Sequence, residues 1–199
     1  LEQKTLQLQM NPHFIFNVLN GIKALGSQGK TQQMNKTIHT FASLLRSILS
    51  SSKLEEVSLT DEIKTLRNYM NLEQQMSINL FKYTIDIKTN NIDPEELLIP
   101  PMLLQPFIEN SIKHGFYQLN KRGEITISFS VKGEFLQCKI KDNGIGIKKS
   151  KEQKKQHHAS MAMQLTKERI ERLSGENTFH ITDENGTLIS FVIPLKTDY

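Results

Sequence analysis

PPMLLQPFIENSIKHGF, residues 100–116, sets polar side chains at helical spacing inside an apolar run. A helical segment is expected over residues 101–114, with Gly115 in the position that a helix stop prefers. Asn110, Lys113 and His114 fall three and four residues apart on one face, beside Glu109. Such a face can put an amide oxygen on a hydrated Mg²⁺ and an ammonium near phosphate, because Mg²⁺ takes oxygen ligands and keeps its waters. Alone it equally describes a helix with a polar outer face.

On both sides of this segment the pattern changes to period two. FKYTIDIK (81–88), EITISFSV (124–131), FLQCKIKD (135–142), residues 178–182 and residues 188–194 alternate apolar with polar and read as strands. Lys132-Gly133 and Asn185-Gly186 mark hairpin turns, and a second helical segment is expected over residues 160–173. At the end of one strand stands KDNGIGI (141–147), where Asp142 can accept a hydrogen bond from an exocyclic amine. Gly144 and Gly146 permit close backbone approach to a ligand. An Asp-Asn-Gly turn by itself is common.

Upstream the chain is nearly all helical. Leu1, Leu8, Ile15 and Ile22 repeat every seven residues, and Ile38, Phe41, Leu45 and Ile48 form a second stripe. Ser58 with Asp61 resembles a capping box ahead of a third, Leu59, Ile63, Leu66 and Met70, so a helix is expected over residues 59–76. The expected fold is therefore α+β: a helical module over residues 1–76 and an α/β sandwich over residues 77–199, with the boundary near 76–80. In the first stripe, QMNPHFIFNVLN (9–20) reads either as an Asn11 cap with Pro12 at the first helical position, or as a kink where the carbonyl of Leu8 loses its partner. His13 follows the irregularity and shares a face with Asn17.

The bulk composition, 37% hydrophobic and 23% charged over 199 residues, suits one sizeable core or two small units. The net charge of +4 is a mild basic excess, and no basic patch is interleaved with aromatics, so direct nucleic-acid binding is not expected. The single cysteine, Cys138, falls in a strand and reads as a buried structural thiol in a reducing compartment. No run nears about 18 uninterrupted apolar residues, so no membrane span is expected. The chain opens on LEQKTLQLQ without an initiator Met or signal pattern and reads as part of something longer.

Together, and in this order, QMNPHFIFNVLN resembles the phosphoacceptor segment of LytS/YehU-type sensor histidine kinases, IENSIKHG their N box, and DNGIGI the first glycine box of the GHKL ATP-binding fold. The resemblance covers essentially the whole chain. It implies a helical dimerisation and phosphotransfer module before a GHKL-type domain, with His13 as the phosphorylated nucleophile and Asn17 beside it. It also implies Asn110 as the Mg²⁺ ligand, Lys113, His114, Asn143 and Ser160 near the nucleotide, Asp142 as the adenine-reading carboxylate, and Gly144 and Gly146 as the hinge of the lid. ATP and Mg²⁺ are the implied cofactors. The implied partners are a second copy and a response regulator of the LytTR DNA-binding type, and the implied location is the cytoplasmic portion of a bacterial inner-membrane sensor, its membrane region lying before Leu1.

Two departures from the family pattern stand out. Phe14 follows the phosphoacceptor where many histidine kinases carry an acid, so the proton acceptor is open: Glu109 either takes the proton or orients water or a lysine. The later glycine box is replaced by HHASMAMQLTKERIERL, where a helix capped by Ser160 still offers amides to phosphate behind a lysine-rich lid (148–155) with His157 and His158. The implied function is ATP-dependent autophosphorylation of His13 with transfer to a regulator aspartate. The alternative is a catalytically weakened dimeric scaffold, or a response-regulator phosphatase, that binds nucleotide.

Overall fold

The computed structural model describes residues 12–76, 81–116, 119, 121–146, 158–183 and 185–197, without the side chains of residues 158–161. Leu1, Leu8, Asn11, the lid lysines and His157 lie outside the described residues, as does most of the expected boundary at 76–80. Neither reading of Pro12 can therefore be placed, since both turn on Leu8 and Asn11.

The upstream stripes form three helices, α1 (Pro12–Ser27), α2 (Thr31–Ser51) and α3 (Leu59–Met76). Leu59, Ile63, Leu66 and Met70 of α3 are all buried, as their spacing predicts. The hydroxyl of Ser58 accepts the amide of Asp61 at 3.1 Å, which satisfies one of the free donors at the start of α3. In α2 the buried register is Thr37, Phe41, Leu44 and Ile48, and Ile38 is 43% exposed, which corrects the expected stripe. Thr37 can be buried because its hydroxyl lies 2.9 Å from the carbonyl of Gln33 and 2.8 Å from Oε1 of Gln75 on α3. Helices α1 and α3 pack side by side: Phe14 lies on Tyr69 with ring centroids 4.9 Å apart, and a Cβ on Gly21 would fall 2.0 Å from Sδ of Met76. Both contacts advance by the same number of residues, so α1 and α3 run parallel and in step.

A short antiparallel ladder follows, β1 (Val57–Ser58) with β3 (Leu98–Ile99). The main sheet contains β2 (Phe81–Lys88), β4 (Gly123–Lys132), β5 (Phe135–Asp142), β6 (Phe179–Asp183) and β7 (Thr187–Pro194). Its spatial order is β2-β4-β5-β7-β6, with β2 and β4 parallel and the other pairs antiparallel. Alternate residues Ile125, Ile127 and Phe129 of β4, Leu136, Cys138 and Ile140 of β5, and Ile189, Phe191 and Ile193 of β7 are buried. Helices α4 (Gln105–Asn110) and α5 (His158–Ser174) lie on this face, with Phe107 5.5 Å from Phe179 and 6.2 Å from Phe191 by ring centroids. One apolar cluster runs from Phe14 on α1 to Ile193 on β7. Burial pushes the Cys138 thiol far above its ordinary range, so it is structural.

Three boundaries differ from expectation. The helix expected from residue 101 begins at Gln105 and closes as a π turn, Ser111–Gly115, with the amide of Phe116 donating to the carbonyl of Ser111 at 3.0 Å. Two prolines and Met102, whose φ of 58° is left-handed, turn the chain before it can wind. The turn is pinned from both sides, by Glu62 Oε2 accepting the amide of Met102 at 2.9 Å and by Arg169 Nη1 donating to the carbonyl of Pro101 at 3.0 Å. Lys132 pairs with Phe135, so the β4–β5 turn is Gly133-Glu134 rather than Lys132-Gly133. Helix α5 begins at His158, which puts Ser160 inside its first turn and not at its cap.

Candidate active site

Asp142 takes the next inward position of β5 after Ile140, so a carboxylate faces the apolar side of the sheet at the strand's end. It is 4% exposed and fully engaged. Oδ1 accepts the amides of Gly144 at 2.9 Å and Thr187 at 3.0 Å, and Oδ2 accepts the hydroxyl of Ser111 at 2.6 Å. This carboxylate is preorganised, with each oxygen aimed by donors from a different element.

Ser111 and Thr187 were not singled out from sequence. A signal existed for both: Ser111 interrupts the inner stripe of Phe107, Ile108 and Ile112, and Thr187 takes the first inward position of β7 ahead of Ile189. Each is a hydroxyl where the pattern calls for an apolar side chain.

The π turn is what brings Gly115 up to this site. Gly144 lies so close to it that a Cβ would fall 2.5 Å from the carbonyl of Gly115, which accepts the amide of Ile145 at 2.9 Å. Gly146 has φ +81°, and its Cβ would fall 2.3 Å from Asp183 Oδ1. In the conformation described, both glycines are therefore demanded by approach to the chain itself. Asn143, expected near the nucleotide, instead clips the start of β4: its Oδ1 accepts the amide of Glu124 at 2.8 Å and its Nδ2 donates to the carbonyl of Arg122 at 3.2 Å.

The expected single face of Asn110, Lys113 and His114 is altered by the π turn, which has more residues per turn than an α-helix. Asn110 ends α4, half-buried; Lys113 and His114 lie in the π turn, also half-buried. The ammonium of Lys113 is hydrogen-bonded to Glu109 Oε1.

His13 stands exposed on α1, with Asn17 Nδ2 3.1 Å from its Nδ1. The amide holds the ring's rotation, and the tautomer follows from which amide atom faces the ring. Within α3, beside its contact with α1, Tyr69 Oη donates to Glu73 Oε1 at 2.8 Å. Burial pushes the Glu73 carboxyl up; the Tyr69 hydrogen bond, Lys113 and His13 hold it down, while Glu109 raises it. His13, Glu109 and Lys113 thus bear on one buried carboxylate.

A helix-backed mixed sheet with a buried aspartate closing an inner strand, set behind a helical module, defines the GHKL class of ATP-binding folds. The comparisons with known proteins agree. Residues 1–79 match the histidine kinase family model, and residues 101–197 match that of histidine kinase-, DNA gyrase B- and HSP90-like ATPases. Sensor protein LytS of Staphylococcus epidermidis is 34% identical over 148 residues, 73% of this chain and 24% of the relative. Sensor histidine kinase BtsS of Escherichia coli is 34% identical over 145 residues, 71% of this chain and 24% of the relative. Among solved structures, the blue-light activated histidine kinase of Erythrobacter litoralis superposes with a TM-score of 0.49 at 14% identity, over 92% of this chain and 58% of that one. The chain belongs to the sensor histidine kinases of the LytS type. It spans about a quarter of the length of these curated relatives.

Proposed function

We propose that this chain is a kinase core that moves the γ-phosphoryl group of ATP to His13, from which it passes to an aspartate of a response regulator. The observation that carries the proposal is the pairing, in one chain, of an exposed histidine steadied by Asn17 with the Asp142 site. Phosphoryl transfer asks the protein chiefly to position reactants and neutralise charge. Asp142 would read the exocyclic amine of adenine, with Ser111 and Thr187 fixing its orientation. Asn110 would supply one amide oxygen to a hydrated Mg²⁺, a cation that neutralises the triphosphate. A single neutral oxygen at the half-buried end of α4 suits an ion held mainly by phosphate oxygens and water. Lys113 would exchange Glu109 for phosphate when nucleotide enters, with His114 beside it, and the first turn of α5 containing Ser160 would offer its amides to the phosphates.

The same reading takes the chain to be a homodimer. Phe16 and Leu19 on α1 and Ile38 and Leu49 on α2 are between 43% and 67% exposed, an apolar surface suited to helices of a second copy. No described helix is long and apolar enough to cross a membrane. Attachment to an inner-membrane sensor region and signalling to a LytTR-type regulator belong to the longer protein that this reading implies. Incubation with Mg²⁺ and ATP should give acid-labile, base-stable phosphate on the chain and none on His13→Ala; absence of such phosphate on the unaltered chain overturns the reading.

A further inference from the structure

We propose that Glu73, oriented by Tyr69, is the carboxylate that takes the imidazole proton of His13 during phosphoryl transfer, within the same chain. This rests on the kinase reading and fills the place left by Phe14, where an acid would otherwise follow the phosphoacceptor. The parallel, in-step packing of α1 and α3 supplies the geometry. With Phe14 level with Tyr69 and Gly21 level with Met76, Asn17 and Val18 lie level with Leu72 and Glu73. The Glu73 carboxyl is held at the Tyr69 hydroxyl, and the Tyr69 ring packs on Phe14, beside which His13 stands. Tyr69 Oη fixes Oε1 at 2.8 Å, and Glu73 is 9% exposed, so the carboxyl is held and shielded rather than mobile.

The charged groups facing it are His13 from α1 and Glu109 and Lys113 from α4 and its π turn, together with the Tyr69 hydroxyl on its own helix. Glu109 already has Oε1 occupied by the ammonium of Lys113, whereas the bond to Tyr69 holds Glu73 on the α1 side of its helix. In the transfer, the unprotonated ring nitrogen attacks the γ-phosphorus and forms the N–P bond. The bond from phosphorus to the ADP oxygen breaks, with its electrons leaving on ADP. The proton on the other ring nitrogen passes to Glu73, leaving a neutral phosphoimidazole.

The test is the rate of acid-labile phosphate formation on His13 from Mg²⁺-ATP as a function of pH, with nucleotide affinity measured in parallel. Glu73→Gln should slow phosphorylation by about 100-fold or more, with ADP affinity within a few-fold of the unaltered chain, and should remove from the acidic limb the step that belongs to Glu73, leaving only the loss of rate caused by protonation of the attacking imidazole. Glu73→Asp should recover part of the rate. Tyr69→Phe, which leaves the carboxylate in place but removes a hydrogen bond that holds its pKa down, should move the acidic limb to higher pH even if Glu73→Gln fails to fold. An acidic limb unchanged in shape in Glu73→Gln, one that loses a step in Glu109→Gln but not in Glu73→Gln, or one that stays fixed in Tyr69→Phe overturns the assignment while leaving the kinase reading intact. Failure of the unaltered chain to be phosphorylated removes both.

Discussion

Asp142, the side chain proposed to read adenine, is also a structural one. Its carboxylate accepts the Ser111 hydroxyl and the amides of Gly144 and Thr187, so Asp142→Ala would leave the two amides without this partner, while the hydroxyl falls back on the carbonyl of Phe107. At ~1–3 kcal/mol for each buried donor left unpaired, less whatever water recovers, urea denaturation should show a loss of at least about 2 kcal/mol. Isothermal calorimetry on the folded fraction should show weakened ATP binding and reduced preference over GTP; unchanged affinity and base preference would remove Asp142 from the nucleotide site. His13→Ala is the contrasting case. The side chain is exposed, so the variant should keep its stability within about 0.5 kcal/mol and its nucleotide affinity within a few-fold while losing all acid-labile phosphate.

At the scale of elements, the turn before α4 joins the helices to the segment that leads into the proposed nucleotide site, and Glu62 is buried against it. Burial pushes the Glu62 carboxyl up to about 7, against the amides of Met102, Leu104 and Leu103 and the charge of Arg169, and its Oε1 is buried with no hydrogen-bond partner among the described residues. Because the folded pKa lies above the ordinary carboxylate value of 4.5, the favourable contribution is fully present below pH 4.5 and is lost as pH rises through about 7. Thermal or urea melts should therefore record a decline in stability across that window, of at most about 3 kcal/mol, and Glu62→Gln should flatten it. A window that persists in the variant would assign it to another group.

The elements also divide cleanly by what made them legible. Strands β4, β5 and β7 could be read from sequence because one face of each is buried, so period two is written into residue type. Helix α3 carries both its apolar stripe and its Ser58 cap locally. The late start of α4 was legible only in its two prolines, since Glu62 and Arg169, which pin the turn at Pro101 and Met102, arrive from distant parts of the chain. In α2, Phe41 and Ile48 were read correctly and only the start of the stripe was misread, for a related reason: Ile38 and Thr37 compete for the interior, and Gln75 of α3 decides for the threonine. In the site, Asp142 and His13 stood out by their motifs. Ser111 and Thr187 did not, because each meets Asp142 only once distant elements pack together, and Glu73 did not, because its place beside Tyr69 matters only once Phe14 of α1 packs there.

Over the whole molecule, the chain's end is stitched to its middle. The amide of Leu98 donates to the carbonyl of Lys196 at 2.9 Å, Leu97 bridges to Thr197, and the Lys196 ammonium meets Glu56 Oε1 at 2.5 Å. Removal of residues 195–199 should lower the melting temperature by several degrees and loosen β1 and β3 in hydrogen exchange, because these strands lose their third partner. Equal protection in the shortened chain would show the stitch to be idle. The exposed apolar side chains on α1 and α2 give a second prediction at this scale. Leu49→Glu, at a side chain 67% exposed, should shift sedimentation from dimer toward monomer without lowering ATP affinity; a variant that stays dimeric would place the interface elsewhere.

The parallel pairing of β2 with β4 also bears on how the protein is made. Strands β4 and β5 are joined by a tight turn and can zip together as soon as they are synthesised, whereas β2 is separated from β4 by a long crossover and must close that loop before its ladder forms. The side-chain amide of Gln74 at the end of α3 donates to the carbonyl of Phe81 on β2 at 2.9 Å, so the end of α3 is tied to the strand whose ladder waits on the long crossover. On the ribosome the helices emerge first, yet this tie must wait for the sheet to assemble. Pulse-labelled hydrogen exchange during refolding should accordingly find β4 and β5 protected before β2, with the end of α3 following β2 rather than leading it.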